Sequence, residues 1–239
     1  MGILQIGRIV TAVYVLAAVL PAVFLMRYIY RQDRVERESP LLLASLVLCG
    51  VLAALASIVL KMMGGAVLDI LVQNRGKIYT ILRAFLVVGA VEEGTKLFFL
   101  KWRTWKHPQF NYRFDGVVYS VFVSLGFAAY ENIGYVFGYG LSVALPRALL
   151  AVPAHMGFAV FMGAFYGRAK QCNTWMDDIG AKINLWVGYL AAVLLHGFYD
   201  ACAMIGTSLS AGLFVVFVVV MYLVVIRMIR REAGTDRPV

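Results

Sequence analysis

Residues 40–60 read PLLLASLVLCGVLAALASIVL, with no charged side chain among them. At 1.5 Å per residue, a helix of that length covers about 30 Å, the thickness of a bilayer's hydrocarbon core. A core helix in a soluble domain has no need of such a run. Working outward, blocks of similar length recur on both sides. They predict seven helices at about 8–28, 40–60, 78–103, 114–138, 142–168, 182–204 and 208–229. The whole chain is 62% hydrophobic and 15% charged, against roughly 25% charged in an ordinary soluble domain. The expected fold is therefore all-α, a polytopic membrane helix bundle forming one domain over 1–239. Residues 61–77, KMMGGAVLDILVQNRGK, are short and broken by glycines. They are expected to be an outer loop with an interfacial helical turn.

The formal charge of +9 does not point to nucleic acid, because the basic residues sit in short clusters at the ends of apolar blocks. Such clusters flank membrane segments. Arg27, Arg31, Arg34 and Arg37 follow the first helix; Lys101, Arg103, Lys106 and Arg113 follow the third. Arg168, Lys170 and Lys182 follow the fifth, and Arg227, Arg230, Arg231 and Arg237 lie at or beyond the end of the seventh. This asymmetry predicts an outside N-terminus and a cytoplasmic C-terminus. The apolar stretch from Ile9 to Met26 is long for a signal sequence and lacks a small-residue cleavage site, so it reads as a retained span. Cys49, Cys172 and Cys202 have no metal-ligand spacing, and neither a disulfide nor a redox role is expected of them.

An ionisable group at the centre of a membrane helix costs roughly 2.5 to 3.5 kcal/mol or more, so each needs a partner or a purpose. The chain places Glu92, Glu93 and Lys96 in its third predicted helix and Asp115 and Glu131 in its fourth. His155 falls in the fifth, with His196 and Asp200 in the sixth. Lys96 stands four residues from Glu92 and three from Glu93, within reach of either on a helix. Two carboxylates and one ammonium can keep one carboxylate charged as a base, an arrangement suited to acid–base chemistry. His196 and Asp200, four apart, share a helix face. His155, His196 and Glu131 make up the two-histidine, one-carboxylate set that catalytic zinc uses, with one position left for water. Asp115 reads as a helix-start residue. Small residues at Gly116, Ser120, Ser124 and Ala128, and a GxxxG at Gly134 and Gly138, are expected to let neighbouring helices approach closely.

Taken in order, Glu92-Glu93-Gly94-Thr95-Lys96, the stretch FDGVVYSVFVSLGFAAYEN from Phe114 to Asn132, His155, and HGFYD from His196 to Asp200 resemble the PrsW family of intramembrane proteases. That family is itself similar to the CAAX-protease and bacteriocin-processing group. The resemblance runs over about residues 90–200, within a motif-bearing core of 78–204. It matches Glu92 and Glu93 to the paired glutamates, with Glu92 as water-activating base. Phe127 and Glu131 match a Phe-x-x-x-Glu motif, and His196 and Asp200 the last motif. Ser120 departs from the pattern, standing where a glycine is common.

The resemblance implies proteolysis of a membrane-anchored protein in the bilayer of a bacterial cell, with a single-pass protein such as an anti-sigma factor as substrate. In the metallo version Glu131, His155 and His196 hold zinc while Glu92, Glu93, Lys96 and Asp200 serve the reaction. In a metal-free glutamic version His196 with Asp200 or Asn132 stabilises the oxyanion. A proton-coupled transporter predicts inverted repeats and broken helices, and neither is evident. A non-catalytic scaffold would have no reason to retain so many buried charges.

Overall fold

The computed structural model describes residues 3–239. They form seven long helical segments: α1 (Ile3–Gln32), α2 (Pro40–Leu71), α3 (77–104), α4 (Asp115–Tyr139), α5 (Leu141–Thr174), α6 (Asp178–Ile205) and α7 (Ser208–Gly234). Six of these are long and apolar enough to cross a membrane; the remaining one, α3, carries Glu92, Glu93 and Lys96. The all-α bundle expected from the sequence is the fold observed.

Local signals account for several helix ends. Ser39 precedes Pro40 and its hydroxyl accepts from Leu42 N at 3.4 Å, a cap followed by a proline in the first turn. Asp177 caps α6 by accepting from Gly180 N at 2.8 Å. Thr207 and Ser210 form a reciprocal capping box at the start of α7. Between α6 and α7 the chain turns through Gly206 at φ 70°, a left-handed conformation that glycine adopts without a Cβ penalty.

The centre of the bundle is α4, in which every residue from Asp115 to Ala128 is buried. The helices α1, α2, α3 and α5 surround it. Glycines set the spacing. A Cβ on Gly116 would run into the backbone of Gly163 and Gly167 in α5, and one on Gly50 of α2 into the backbone around Val123 and Gly126. The second half of the small-residue pattern behaves differently. Among the described residues, Gly134 and Gly138 have nothing within contact distance, so that GxxxG joins no helices there. Outward-facing apolar residues, such as Leu16, Leu20 and Phe24 on α1 and Val215, Val216 and Val219 on α7, remain exposed, as lipid contact requires.

Two expectations need correction. The segment 61–77 is not a loop: α2 continues unbroken to Leu71. Tertiary contacts explain the extension, since Lys61 pairs with Glu92, Gly64 packs on Val87, and Asp69 accepts from Tyr79 Oη and pairs with Arg75 at 3.2 Å. Nor are α3 and α5 regular throughout. Each contains a π-helical stretch, Arg83–Gly89 in α3 and Arg147–Ala151 in α5. The three cysteines are free.

The basic segments gather at one end of the bundle. Ser39 donates to Gln109 Oε1 at 2.8 Å, and Glu232 pairs with Arg113 and Arg168. The C-terminal tail adds Arg113 N to Arg237 O at 3.0 Å and Val239 N to Asn111 O at 2.9 Å.

Candidate active site

Each π-helical stretch lies immediately before residues of the polar cluster. Wide turns of this kind change the angular phase of everything that follows, and they recur at functional sites. In α3 the wide turn ends at Gly89, whose missing Cβ lets the backbone approach Val193 and Gly197 of α6. Glu92 and Glu93 follow three and four residues later, against His196. In α5 the π stretch ends at Ala151, one turn before His155.

The two adjacent glutamates have separate environments. Glu93, with no exposed surface, lies behind the site. Its Oε1 accepts from Lys96 Nζ at 2.7 Å and from His196 Nδ1 at 2.7 Å. Since an ionised carboxylate only accepts, Nδ1 of His196 carries a proton, and when the ring is neutral its Nε2 is bare. That Nε2 stands 3.9 Å from Glu92 Oε2 and 3.5 Å from Asp200 Oδ2. Glu92 pairs with Lys61 through Oε1. Its Oε2 is buried without a hydrogen-bond partner.

Lys96 is enclosed on every side. Besides Glu93, its ammonium lies 4.0 Å from Glu92 Oε2, donates to His155 Nδ1 at 3.1 Å and sits 4.2 Å above the ring of Phe127. This cation–π contact gives Phe127 a defined place in its motif. Facing Lys96, His155 is fixed through its backbone as well, Ser124 Oγ donating to its carbonyl at 2.9 Å. Its Nε2 points to Glu131 Oε2 at 3.4 Å.

Glu131 is also held by Arg147, whose Nη2 donates to Oε2 at 2.8 Å. The same guanidinium donates to Asn132 Oδ1 at 2.7 Å and stacks 3.7 Å from the Tyr135 ring. Asn132 spends its amide on the Ala18 carbonyl at 2.8 Å. Both ends of that side chain are thus engaged, and it does not line the cavity.

A cavity of about 690 Å³ opens onto this cluster, bounded in part by Lys61, Arg83, Glu92, Glu131, Arg147, His155, His196, Tyr199 and Asp200. Glu93 and Lys96 lie outside its wall. One ligand atom each from Glu92, His155 and His196 falls within 4.8 Å of the others, a set able to hold a divalent cation. The structure therefore groups Glu92 with the two histidines, and places Glu131 beside His155 and Arg147. A second cavity, of about 450 Å³ between α2 and α4, shares Ile58, Lys61, Glu131 and Tyr135 with the first.

The profile described as the PrsW family intramembrane metalloprotease matches residues 38–228. The chain belongs to the PrsW family. Relatives named Protease PrsW include one from Halalkalibacterium halodurans, 37% identical over 66% of this chain and 71% of that protein. Another, from Clostridioides difficile, is 31% identical over 87% of this chain and 86% of its own length. A third, from Bacillus subtilis, is 32% identical over 77% and 79%. No solved structure matches the chain. With its apolar helices, this PrsW-family chain is a multi-pass bacterial membrane protease.

Two members of the PrsW cluster were not singled out by sequence reading. Lys61 and Arg147 lie away from the flanking basic clusters. The available signal was their isolation: a lone cation in or beside an apolar run needs a carboxylate partner, and Glu92 and Glu131 are those partners.

Proposed function

We propose that this chain is an endopeptidase that cuts a single-pass membrane protein, such as an anti-sigma factor, by water attack in the cavity formed by Glu92, His155 and His196. The observation that carries this reading is the buried Oε2 of Glu92, without a hydrogen-bond partner, which lies 3.9 Å from Nε2 of His196.

This donor set fits a divalent cation by position, and Glu93 behind His196 is the carboxylate that commonly orients a metal-bound imidazole. Glu92, His155 and His196 would hold the ion. Zinc bound there would acidify a water and polarise the scissile carbonyl. The chain's own residues do the rest. Glu93 and Lys96 keep His196 in its tautomer, Lys61 anchors Glu92, and Glu131, on the cavity wall, accepts the water's proton. Arg147 holds Glu131 in place. In this arrangement Glu92 and Glu131 exchange the tasks that the sequence suggested for them.

A second reading is favoured by one contact. Lys96 donates to His155 Nδ1, so a neutral His155 carries its proton on Nε2 and has no lone pair free for a metal. Glu92 is then the base itself, activating water through Oε2, with the Nε2–H of His155 stabilising the oxyanion.

The test is metal content and cleavage together, with purified protein and a single-pass reporter substrate. In the first reading wild type carries one equivalent of metal, Glu92→Gln loses both metal and cleavage, and Glu131→Gln keeps the metal but loses cleavage. In the second, cleavage survives chelation and still disappears in Glu92→Gln. Full cleavage by Glu92→Gln at normal expression would refute both.

A further inference from the structure

At the opposite end of α4 from Glu131, 16 residues or about 24 Å along the helix, a second group of buried acids serves no part of the protease site. Asp33 in the α1–α2 connection, Glu38 just before α2, and Asp115 at the start of α4 are 2%, 4% and 1% exposed. One oxygen from each lies within 4.8 Å of the others.

Charge compensation distinguishes these three from the glutamates of the active site. Glu92 has Lys61, Glu93 has Lys96 and Glu131 has Arg147. Among the described residues, none of Asp33, Glu38 and Asp115 forms a salt bridge. Arg37, close in sequence, is stacked instead on the Tyr30 ring at 5.5 Å. The surroundings add further negative charge. Glu36 accepts from Asn111 Nδ2 at 3.0 Å, and Asp236 accepts from Phe114 N at 2.9 Å.

The oxygens themselves give the second observation. Asp33 Oδ2 and Glu38 Oε2 are buried with no hydrogen-bond partner, and so is the neutral Oδ1 of neighbouring Asn111. Tyr119, beside Glu38, directs its hydroxyl to the Gln109 carbonyl at 2.7 Å. Asp115 uses Oδ2 for the amides of Asn111 and Tyr112, at 3.0 and 2.7 Å. Buried carboxylates this close cannot all stay ionised without positive charge among them, and unsatisfied buried oxygens call for a partner.

We propose that Asp33, Glu38 and Asp115 form a binding site for a hard divalent cation, calcium or magnesium, separate from the protease centre. The donors are all oxygen, the chemistry these ions select, with neither nitrogen nor sulfur to favour zinc. A bound ion would tie the α1–α2 connection to the start of α4, at the point where the C-terminal tail also attaches. Its role is to clamp that end of the bundle.

The test uses the full-length protein in detergent. Calcium and magnesium are titrated separately while the melting temperature is followed, and terbium luminescence, sensitised by nearby tyrosine, reports binding directly. Wild type is expected to melt several degrees higher with a saturable dependence on one of the two ions. Calcium or magnesium should displace terbium. Glu38→Gln and Asp33→Asn should each weaken binding about tenfold or more. A Glu92→Gln background, which disables the protease centre, should retain the full response. The absence of both a saturable shift and terbium binding in wild type overturns the proposal. So does an undiminished response in a folded Asp33→Asn/Glu38→Gln double variant, or loss of the response with Glu92→Gln alone. If the carboxylate variants do not fold, terbium displacement measured on wild type and on Glu92→Gln decides.

Discussion

Glu93 Oε1 receives two hydrogen bonds, from Lys96 Nζ and His196 Nδ1, each 2.7 Å long. One carboxylate oxygen therefore joins α3 to α6 and sets the tautomer of a cavity-lining histidine. Glu93→Gln keeps the shape but presents a neutral amide. We expect a fall of about 10- to 100-fold in kcat, the effect typical of losing a carboxylate behind a functional histidine. KM should change little, because Glu93 does not line the cavity. Steady-state kinetics on a reporter substrate checks the split between kcat and KM.

Lys96 tests stability rather than turnover alone. It is 2% exposed, and truncating one member of a buried pair strands the other charge, at a cost of about 3–5 kcal/mol. Lys96→Met is therefore expected to unfold at markedly lower denaturant or temperature than wild type. The double variant Lys96→Met/Glu93→Gln, with the stranded charge gone, should recover part of that loss. Thermal unfolding in detergent measures both.

Arg147 holds Glu131, Asn132 and the Tyr135 ring together. Arg147→Ala leaves a partly buried carboxylate without its cation and an asparagine without its donor. Cleavage should fall by about 10- to 100-fold, the range expected for second-layer partners of a site. Arg147→Lys should restore only a fraction, since an ammonium cannot serve the carboxylate, the amide and the ring in one plane. Parallel assays of the two variants decide the point.

The small residues of α4 give a contrast within one helix. At Gly116 a methyl group meets the backbone of α5, whereas at Gly134 it meets nothing. Gly116→Ala is expected to destabilise the bundle by about 1–3 kcal/mol, the usual range for overpacking. Gly134→Ala should leave stability unchanged or slightly raised, as alanine is the better helix former. Equal melting temperatures for the two variants would contradict this view of α4 packing.

Much of this protein follows from linear order alone. An uncharged run such as 40–60 can satisfy its backbone in lipid only as a helix, so length and hydropathy were sufficient for a polytopic bundle. The cost of burying charge also marked Glu92, Glu93, Lys96, Glu131, His155, His196 and Asp200, whatever their eventual neighbours. Neighbours are what sequence spacing could not supply. Two π-helical stretches shift the phase of α3 and α5 just before the site, so a regular 3.6-residue period could not show which carboxylate meets the histidines. The tertiary structure places Glu92 there, sets Glu131 against Arg147, and extends α2 to Leu71 through the Lys61–Glu92 pair. It also brings Asp33 and Glu38 of the α1–α2 connection against Asp115 at the start of α4. Each of these depends on side chains from different segments meeting in space, which the order of residues along one helix does not encode.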